Sequence, residues 1–331
     1  MQTRRLGRHG PQVSAIGIGA MSFAGFYGDT TEAEAHALLD TAVELGVTHL
    51  DTSNIYGMGK SESIIGSYIA SRGRNPFLIA TKAGITRDPG SGARYFDNSA
   101  EHLEAELDKS LTRLGVDCVD LFYVHRREAA RPIEEVTDTM AALVRKGKTR
   151  AIGLSEVAPA TLRRAAAVHP IAAVQSEYSL STRAPELGLV QECERQGTAL
   201  VAFSPVGRAL LTDRPPTADR VAASAFLAGN PRFTEPHFSA NIAASAPLRS
   251  LAAESGTSAA ALAIAWLIAK SPTVIPIPGT RNPAHLRELA AGACMELSDT
   301  ELARIEAALP VGWAHGDRYT EAQWIGPERY C

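Results

Sequence analysis

Short apolar segments rich in Val, Ile, Leu and Phe recur along the chain and alternate with longer stretches of mixed polarity. Apolar and polar residues alternate little within each segment, which is typical of strands that are covered on both faces. The pattern predicts eight strands, at residues 15–21, 48–53, 77–82, 119–125, 151–155, 172–178, 199–205 and 273–278.

The stretches between these strands carry apolar stripes that recur every three or four residues, as in a helix with one buried face. The stripes are Ala35, Leu38, Leu39, Ala42 and Val43, then Leu103, Leu107, Leu111 and Leu114, then Val136, Met140, Leu143 and Val144. Thr31 with Glu34, and Ser298 with Glu301, have the spacing of capping boxes at helix starts. Alternating strands and helices predict a parallel sheet with right-handed crossovers.

Eight strand–helix units in 331 residues fit one α/β domain, a closed (β/α)8 TIM barrel that spans residues 1–331. Three segments lie outside the repeat. For residues 3–13, the pattern predicts an N-terminal hairpin that plugs the bottom of the barrel. Residues 206–255, after the seventh strand, predict a long loop with a short helix on the catalytic side. The C-terminal tail after Leu309, with Trp313 and Trp324, is a second candidate covering segment.

The composition excludes several classes of protein. A net charge of −3 favours neither nucleic acid nor an acidic membrane as a partner. The longest apolar run, residues 259–269, is shorter than the roughly 20 residues that a bilayer requires. The basic start is not followed by the apolar stretch of a secretory signal. The cysteines, Cys118, Cys193, Cys294 and Cys331, have no CxxC spacing, so a reduced, cytoplasmic protein is expected.

Two glycine-containing motifs resemble nucleotide-binding sites but lack required residues. Gly17-Ile18-Gly19 begins like a dinucleotide fingerprint, yet Ser22 stands where the third glycine belongs. Gly59-Lys60-Ser61 resembles the end of a P-loop, but Asn54 occupies the position of its first glycine. No HxH or HExxH pair is present, so no metal site is predicted, although scattered ligands could still converge in space.

Four ionisable side chains follow or end consecutive predicted strands: Asp51, Tyr56, Lys82 and His125. In a TIM barrel these ends share one rim, where active sites lie. A carbonyl that accepts a hydride needs a proton donor and a polar environment for the developing negative charge. Tyr56 can supply the proton, Lys82 is expected to lower the pKa of Tyr56, and Asp51 to keep Lys82 charged. His125 can orient the carbonyl.

These motifs, Asp-Thr-Ser-Asn-Ile-Tyr-Gly, Ala-Thr-Lys and Asp-Leu-Phe-Tyr-Val-His, resemble those of the aldo-keto reductase family in order and spacing. The resemblance runs from Leu6-Gly7 to about Leu309 and is strongest for the bacterial branch with broad aldehyde and ketone activity. It implies a TIM barrel, an NADP-dependent oxidoreductase and carbonyl reduction with Tyr56 as general acid. NADPH would bind extended, without a Rossmann domain.

The resemblance also implies a cofactor site for NADPH/NADP+. Ser155 and Gln175 would hold the nicotinamide carboxamide, Phe203 would stack on nicotinamide, and Arg281 would contact the 2′-phosphate. The full implied set is Ser155, Gln175, Phe203, Ser204, Pro205, Gly207, Arg208, Gly279, Thr280, Arg281, His285 and Glu288. Glu156 and Leu289 depart from the family, which often has Asn at both positions; Leu289 is expected to weaken adenine binding.

Phe23, Tyr27 and Trp313 are candidate walls for a small-molecule carbonyl substrate, with Phe26 and Trp324 as further aromatics nearby. Arg126 and Arg127 follow His125, and the sequence leaves open whether one meets an anionic substrate group or both are solvated or paired. Two alternatives to the enzyme remain: a cofactor-binding regulatory subunit of a membrane channel, with little turnover, and, more remotely, a metal-dependent barrel hydrolase. The oligomeric state is open, with a homo-oligomer as one alternative.

Overall fold

The computed structural model describes residues 1–88 and 90–329, so Cys331, which was expected to be reduced, lies outside the described residues. The strands in this part of the chain are β1 Thr3–Arg5, β2 Gln12–Ser14, β3 Gly17–Gly19, β4 His49–Asp51, β5 Leu78–Ala83, β6 Ile85–Arg87, β7 Arg94–Phe96, β8 Leu121–Val124, β9 Ile152–Ser155, β10 Ala173–Glu177, β11 Ala199–Phe203 and β12 Val274–Pro276. The α-helices are α1 Glu32–Glu44, α2 Lys60–Arg72, α3 Ala100–Leu114, α4 Ile133–Arg145, α5 Pro159–Ala166, α6 Leu189–Gln196, α7 Ala218–Ala222, α8 Ala225–Ala228, α9 His237–Ala244, α10 Ala246–Glu254, α11 Ala259–Lys270, α12 Pro283–Gly292 and α13 Asp299–Ala308.

Eight of the strands form one parallel sheet in the order β3, β4, β5, β8, β9, β10, β11 and β12. Each pairs with its neighbour in register, as in Asp51 opposite Ala80 and Gln175 opposite Ser155. The two edges of this sheet also meet, because the Gly19 N–H of β3 donates at 3.1 Å to the oxygen of Pro278, two residues after β12. The TIM barrel predicted from the sequence is thereby confirmed.

The helix starts follow from local side-chain chemistry. Thr31 and Glu34 form both hydrogen bonds of a capping box at the start of α1, and Ser298 and Glu301 do the same at α13. Each box satisfies N–H groups that the first helical turn leaves free. The predicted N-terminal hairpin is also present as β1 paired antiparallel with β2. Leu6 and Val13 from this segment pack in the interior cluster that fills the barrel.

The segment 206–255 is mostly helical, so the prediction of a long loop with one short helix was wrong. It contains α7 to α10, and prolines such as Pro215, Pro231 and Pro236 lie between or at the starts of these helices. The helices have four to nine residues, too few to show a periodic apolar stripe. A second difference is the antiparallel hairpin β6–β7 after the third barrel strand, which the apolar pattern did not reveal.

No single helix in the described residues is long and apolar enough to cross a membrane. The helical segments His237–Glu254 and Ala259–Lys270 pass that test of length and composition only when taken together, and they are bent by 92° to one another.

Gly66 marks a close contact between α2 and α3. A Cβ at Gly66 would lie 2.1 Å from the Arg113 oxygen, whereas a Cβ at Gly229 would meet no atom within 4 Å. We expect Gly66→Ala to lower the free energy of unfolding by about 1–3 kcal/mol, since the helices must move apart. Gly229→Ala is the matched control and should change it little. Urea unfolding measures both, and equal stability of the two variants would contradict this packing.

Candidate active site

A buried ion pair lies at the carboxyl ends of two neighbouring strands. Asp51 ends β4, Lys82 lies on β5, and both side chains are almost wholly shielded from solvent. The Lys82 Nζ donates to Asp51 Oδ1 and, at 2.8 Å, to the Thr52 oxygen. Gln175 donates from Nε2 to the other carboxylate oxygen of Asp51 at 2.8 Å. The ammonium is therefore fixed by a carboxylate that is itself held from across the barrel.

Tyr56 and His125 complete a group of four on the same rim. Tyr56 lies in the turn that follows β4, and its ring centroid is 5.2 Å from the Lys82 Nζ. The imidazole of His125, directly after β8, meets the Tyr56 ring edge to face at 5.9 Å between centroids. The structure thus brings together all four residues that the sequence analysis selected.

The pKa of Tyr56 differs from the sequence-based expectation. Burial raises this pKa above its ordinary value, and Asp51 adds to the rise. Lys82 and Arg126 oppose it without reversing it. Lys82 therefore limits the increase rather than lowering the pKa below 10. The phenol consequently keeps its proton throughout the neutral pH range.

His125 is held in its neutral form. Burial lowers its pKa well below the ordinary value, and the charges of Arg126, Lys82 and Arg94 lower it further. The Ser53 Oγ lies 3.1 Å from His125 Nδ1. When Ser53 donates this hydrogen bond, the proton of the neutral ring is on Nε2, which can then donate to a further acceptor. Ser53 was not selected from the sequence, although it lies inside the motif that contains Asp51 and Tyr56.

The Gly59-Lys60-Ser61 motif has a structural role here. The Ser61 hydroxyl accepts from Thr52 Oγ1 at 2.8 Å and donates to the Ala20 oxygen at 2.9 Å. The next residue, Glu62, accepts from Thr81 Oγ1 at 2.6 Å and from Arg113. The start of α2 therefore anchors the strand ends that carry Asp51 and Lys82.

The two residues expected at the nicotinamide carboxamide lie beside the four rim residues. Ser155 is the last residue of β9, Gln175 lies in the middle of β10, and both are buried. Ser155 Oγ accepts a hydrogen bond from Arg126 Nη1 at 3.1 Å. Glu156, the residue after Ser155, has a left-handed backbone with φ 57° and a carboxylate that pairs with Arg318 of the tail.

Glu156 and a second buried carboxylate, Glu177, organise a cluster of charges at the mouth of the barrel. Glu177 pairs with Arg208 at 3.2 Å and with Arg232 at 3.3 Å. Burial by itself raises the pKa of Glu177, but Arg208, Arg318 and Arg232 together hold it below its usual range. The sequence did not select Glu177, Arg232 or Arg318. Each is isolated in the chain, and only folding brings them together.

The segment after β11 has an unusual backbone. Ser204, Gly207, Arg208 and Ala209 all have positive φ, between 51° and 76°. Such left-handed residues turn successive N–H groups in one direction, a geometry that favours anions. Phe203 is partly exposed at the end of β11, and Pro205 is buried beside it. The side chain of Arg208, one of the expected cofactor residues, pairs with Glu177 in this structure.

The residues expected at the adenosine phosphate follow β12. Gly279 lies against the loop after β3, since a Cβ there would be 3.1 Å from the Gly19 oxygen. The Thr280 oxygen accepts from Ser22, and Arg281 Nη1 donates to the Asp29 oxygen at 2.6 Å. His285 and Glu288 lie on α12, where His285 is exposed and Glu288 partly so. Leu289 is buried in the main core instead of facing solvent beside them.

Aromatic side chains cover the Tyr56 ring. Phe26 meets Tyr56 at 6.1 Å, and Phe226 from α8 meets Phe26 at 6.0 Å and Tyr27 at 5.3 Å between centroids. Arg208 lies over the rings of both Phe226 and Tyr319. Burial raises the pKa of Tyr27 to about 12, so its hydroxyl is protonated in this cover.

Two of the predicted substrate walls lie elsewhere, which corrects the sequence analysis. Phe23 is fully buried in the main hydrophobic core. Trp313 packs against that core and donates from its indole N–H to the Leu180 oxygen at 2.8 Å. Trp324 stacks on Arg318 in the tail and donates to Asp317. Phe26 contacts the Tyr56 ring instead, and Phe226 of the insertion packs on Phe26 and Tyr27.

Within residues 1–88 and 90–329 no group of three or more His, Cys, Asp or Glu side chains is placed to hold a metal ion.

Comparison with known proteins gives consistent matches over nearly the whole chain. The model of the Aldo/keto reductase family matches residues 15–310. The chain is 36% identical to a Schizosaccharomyces pombe protein named aldo-keto reductase yakc [NADP(+)], covering 96% of this chain and 94% of that relative. It is 34% identical to a probable aldo-keto reductase of Glycine max, over 96% and 92% of the two chains. Among solved structures, a glycerol dehydrogenase from Gluconobacter oxydans is similar with a TM-score of 0.81, 25% identity and coverage of 96% and 98%.

The buried histidines predict a pH-dependent stability. Burial lowers the pKa of His125 and of His49 below 6.5, so below that pH the unfolded chain binds protons that the native protein does not. The free energy of unfolding should therefore fall as the pH drops from ~7.5 to ~5.5, by up to about 1.4 kcal/mol per pH unit for each histidine. Urea unfolding at several pH values should show that the unfolding free energy of His125→Asn depends less steeply on pH. His9→Gln, at an exposed position, is the control; identical slopes in all three proteins would refute this assignment.

Proposed function

The chain belongs to the aldo/keto reductase family, and we propose that it reduces aldehydes or ketones to alcohols with NADPH, with Tyr56 as the general acid. The observation that carries the proposal is the buried Lys82–Asp51 pair beside the Tyr56 ring, with a neutral His125 on its other side. This arrangement offers a protonated donor, a fixed cation and a neutral hydrogen-bond donor around one point.

Tyr56 would give its phenolic proton to the carbonyl oxygen as that oxygen gains negative charge. The raised pKa keeps the phenol protonated until this moment. Once the proton has left, the Lys82 ammonium stabilises the phenolate, because opposite charges attract strongly in a buried site. Water then returns a proton to Tyr56 for the next turnover.

Asp51 acts through Lys82. A buried cation requires a partner of opposite charge, and the contact with Asp51 supplies it and fixes the ammonium beside Tyr56. Gln175 holds the second oxygen of Asp51, so the carboxylate cannot rotate away. His125, with Nδ1 accepting from Ser53, would donate from Nε2 to the carbonyl oxygen and orient it next to Tyr56.

The side chains around the rim fit NADPH. The left-handed turn after β11 has a backbone geometry that favours anions, and Arg281 brings a guanidinium to the segment that follows β12. Both suit phosphate groups, and Ser155 and Phe203 suit an amide and an aromatic ring. The S. pombe relative carries NADP(+) in its name. When bound, NADPH supplies the carbonyl carbon with a hydride, which is two electrons and one hydrogen nucleus, and leaves as NADP+.

We expect Tyr56→Phe to reduce kcat for aldehyde reduction by about 10²–10⁴, the range for loss of a general acid. Because the phenyl ring remains, NADPH binding followed by its fluorescence should stay within about threefold of the original. Tyr95→Phe, on the exposed hairpin β6–β7, is the matched control and should keep full activity.

Preserved turnover in Tyr56→Phe would exclude Tyr56 as the acid. Stoichiometric NADPH binding by the unmodified protein, with no turnover of any aldehyde or ketone, would instead support the regulatory alternative.

Arg281→Ala should weaken NADPH binding on the order of 10- to 100-fold and NADH binding little, since only NADPH carries the 2′-phosphate. Arg287→Ala is the matched control, because this arginine of α12 pairs with Glu44 at 2.6 Å. Fluorescence titration with both nucleotides measures the effect, and equal losses for NADPH and NADH would show that Arg281 does not read the phosphate.

A further inference from the structure

Arg126 carries a positive charge at the catalytic rim that no carboxylate of the described chain neutralises. Its Nη1 donates to the His125 oxygen at 2.7 Å and to Ser155 Oγ at 3.1 Å, and its Nη2 has one contact of 3.4 Å with the Tyr319 hydroxyl. The next residue, Arg127, differs, because it pairs with Glu328. Arg126 has no ion pair in residues 1–88 and 90–329, although it is partly buried.

A second guanidinium reaches the same part of the tail as Arg126. Arg94, on β7, donates from Nη2 to the Ala322 oxygen at 2.8 Å and likewise has no ion pair in the described ranges. The charges of Arg126 and Arg94 both lower the pKa of His125, and Arg126 also lowers that of Arg94. Both side chains also reach the tail, Arg126 at the Tyr319 hydroxyl and Arg94 at the Ala322 oxygen, so two like charges lie under the same cover, an arrangement that favours a bound anion.

The neighbouring carboxylates are engaged elsewhere. Glu156 pairs with Arg318, and Glu177 with Arg208 and Arg232. Glu128, two residues after Arg126, pairs with Arg131 at 3.0 Å. The anion that complements Arg126 must therefore come from outside the described chain.

The position of Arg126 favours the substrate over the cofactor as the source of that anion. The segments that suit the phosphates of NADPH follow β11 and β12, whereas Arg126 follows β8, on the opposite side of β9 and β10 in the strand order. Arg126 adjoins His125, the residue proposed to orient the carbonyl. Nη2 of Arg126 has only its 3.4 Å contact with the Tyr319 hydroxyl, and a planar guanidinium suits a carboxylate in particular.

We propose that the preferred substrates are carbonyl compounds that also bear a carboxylate, and that Arg126 is the residue that determines this specificity. The inference rests on the proposed reductase function and names the substrate class of that same site. The carboxylate binds Arg126 at Nη2 in place of the 3.4 Å contact with the Tyr319 hydroxyl, with Arg94 adding long-range attraction. The carbonyl then lies between Tyr56 and His125.

The test compares two substrate pairs that differ mainly in charge: 4-oxobutanoate with butanal, and 4-carboxybenzaldehyde with methyl 4-formylbenzoate. For the unmodified enzyme with NADPH, kcat/KM should favour the anionic member of each pair by about tenfold or more. Arg126→Gln should lower this ratio at least about tenfold, chiefly through a higher KM for the anionic member, with the neutral member little changed. Arg127→Gln, whose original side chain is already paired, is the matched control and should keep the ratio.

Direct NADPH binding, measured by fluorescence for each variant, separates the remaining outcomes. An unchanged ratio in Arg126→Gln overturns the proposal and leaves the reductase function standing. Equal losses for charged and neutral substrates, or a loss of NADPH binding, would assign Arg126 to positioning Ser155 and also overturn it. If the unmodified protein reduces other aldehydes or ketones but neither anionic compound, the proposal fails and the reductase function stands. If it binds NADPH and reduces no aldehyde or ketone at all, the proposed function itself fails.

Discussion

The buried pair of Lys82 and Asp51 is the interaction on which the rest of the site depends. An ammonium in a barrel interior is stable as a cation only beside a carboxylate, and removing one partner of such a pair costs about 3–5 kcal/mol. The pair exists because β4 and β5 are adjacent and in register, and Gln175 reaches Asp51 from β10. Closure of the barrel therefore holds the charge beside Tyr56, and the start of α2 fixes the strand ends from outside through Ser61 and Glu62.

Burial and the positive charges of Lys82 and Arg126 shift the pKa of Tyr56 in opposite directions. Burial raises the pKa of the phenol, and Lys82 and Arg126 reduce that rise without cancelling it. The free protein thus holds a protonated donor, and the nearby cation matters most once the proton has gone. The same burial lowers the pKa of His125 and leaves a neutral ring next to the donor. Burial therefore keeps both groups uncharged, Tyr56 as the proton donor and His125 as a neutral hydrogen-bond donor.

The mouth of the barrel is organised by charges from distant parts of the chain. Glu156 follows β9, and Glu177 ends the neighbouring strand β10. Their partners are Arg208 and Arg232 from the insertion and Arg318 from the tail. These pairs hold the insertion and the tail over the rim, where Phe226 packs on Phe26 and Tyr27, and Tyr319 contacts Arg208 and Arg126. Because both carboxylates are used in this way, Arg126 keeps an unneutralised charge beside the site. The covering segments and the charge on the rim are thus consequences of one network.

The sequence by itself determined the barrel and its four rim residues. A buried parallel strand requires a continuous apolar run, capping boxes require fixed spacings, and Asp51, Lys82 and His125 occupy strand ends that any closed parallel barrel brings to one rim. The hairpin β6–β7 and the short helices of the insertion could not be predicted in this way, since they have too few residues to show a period. Only the tertiary structure decided that Phe23 and Trp313 belong to the core, that burial outweighs Lys82 at Tyr56, and that Arg127 is paired while Arg126 is not. These properties depend on distances between residues far apart in the chain, and no local pattern encodes such distances.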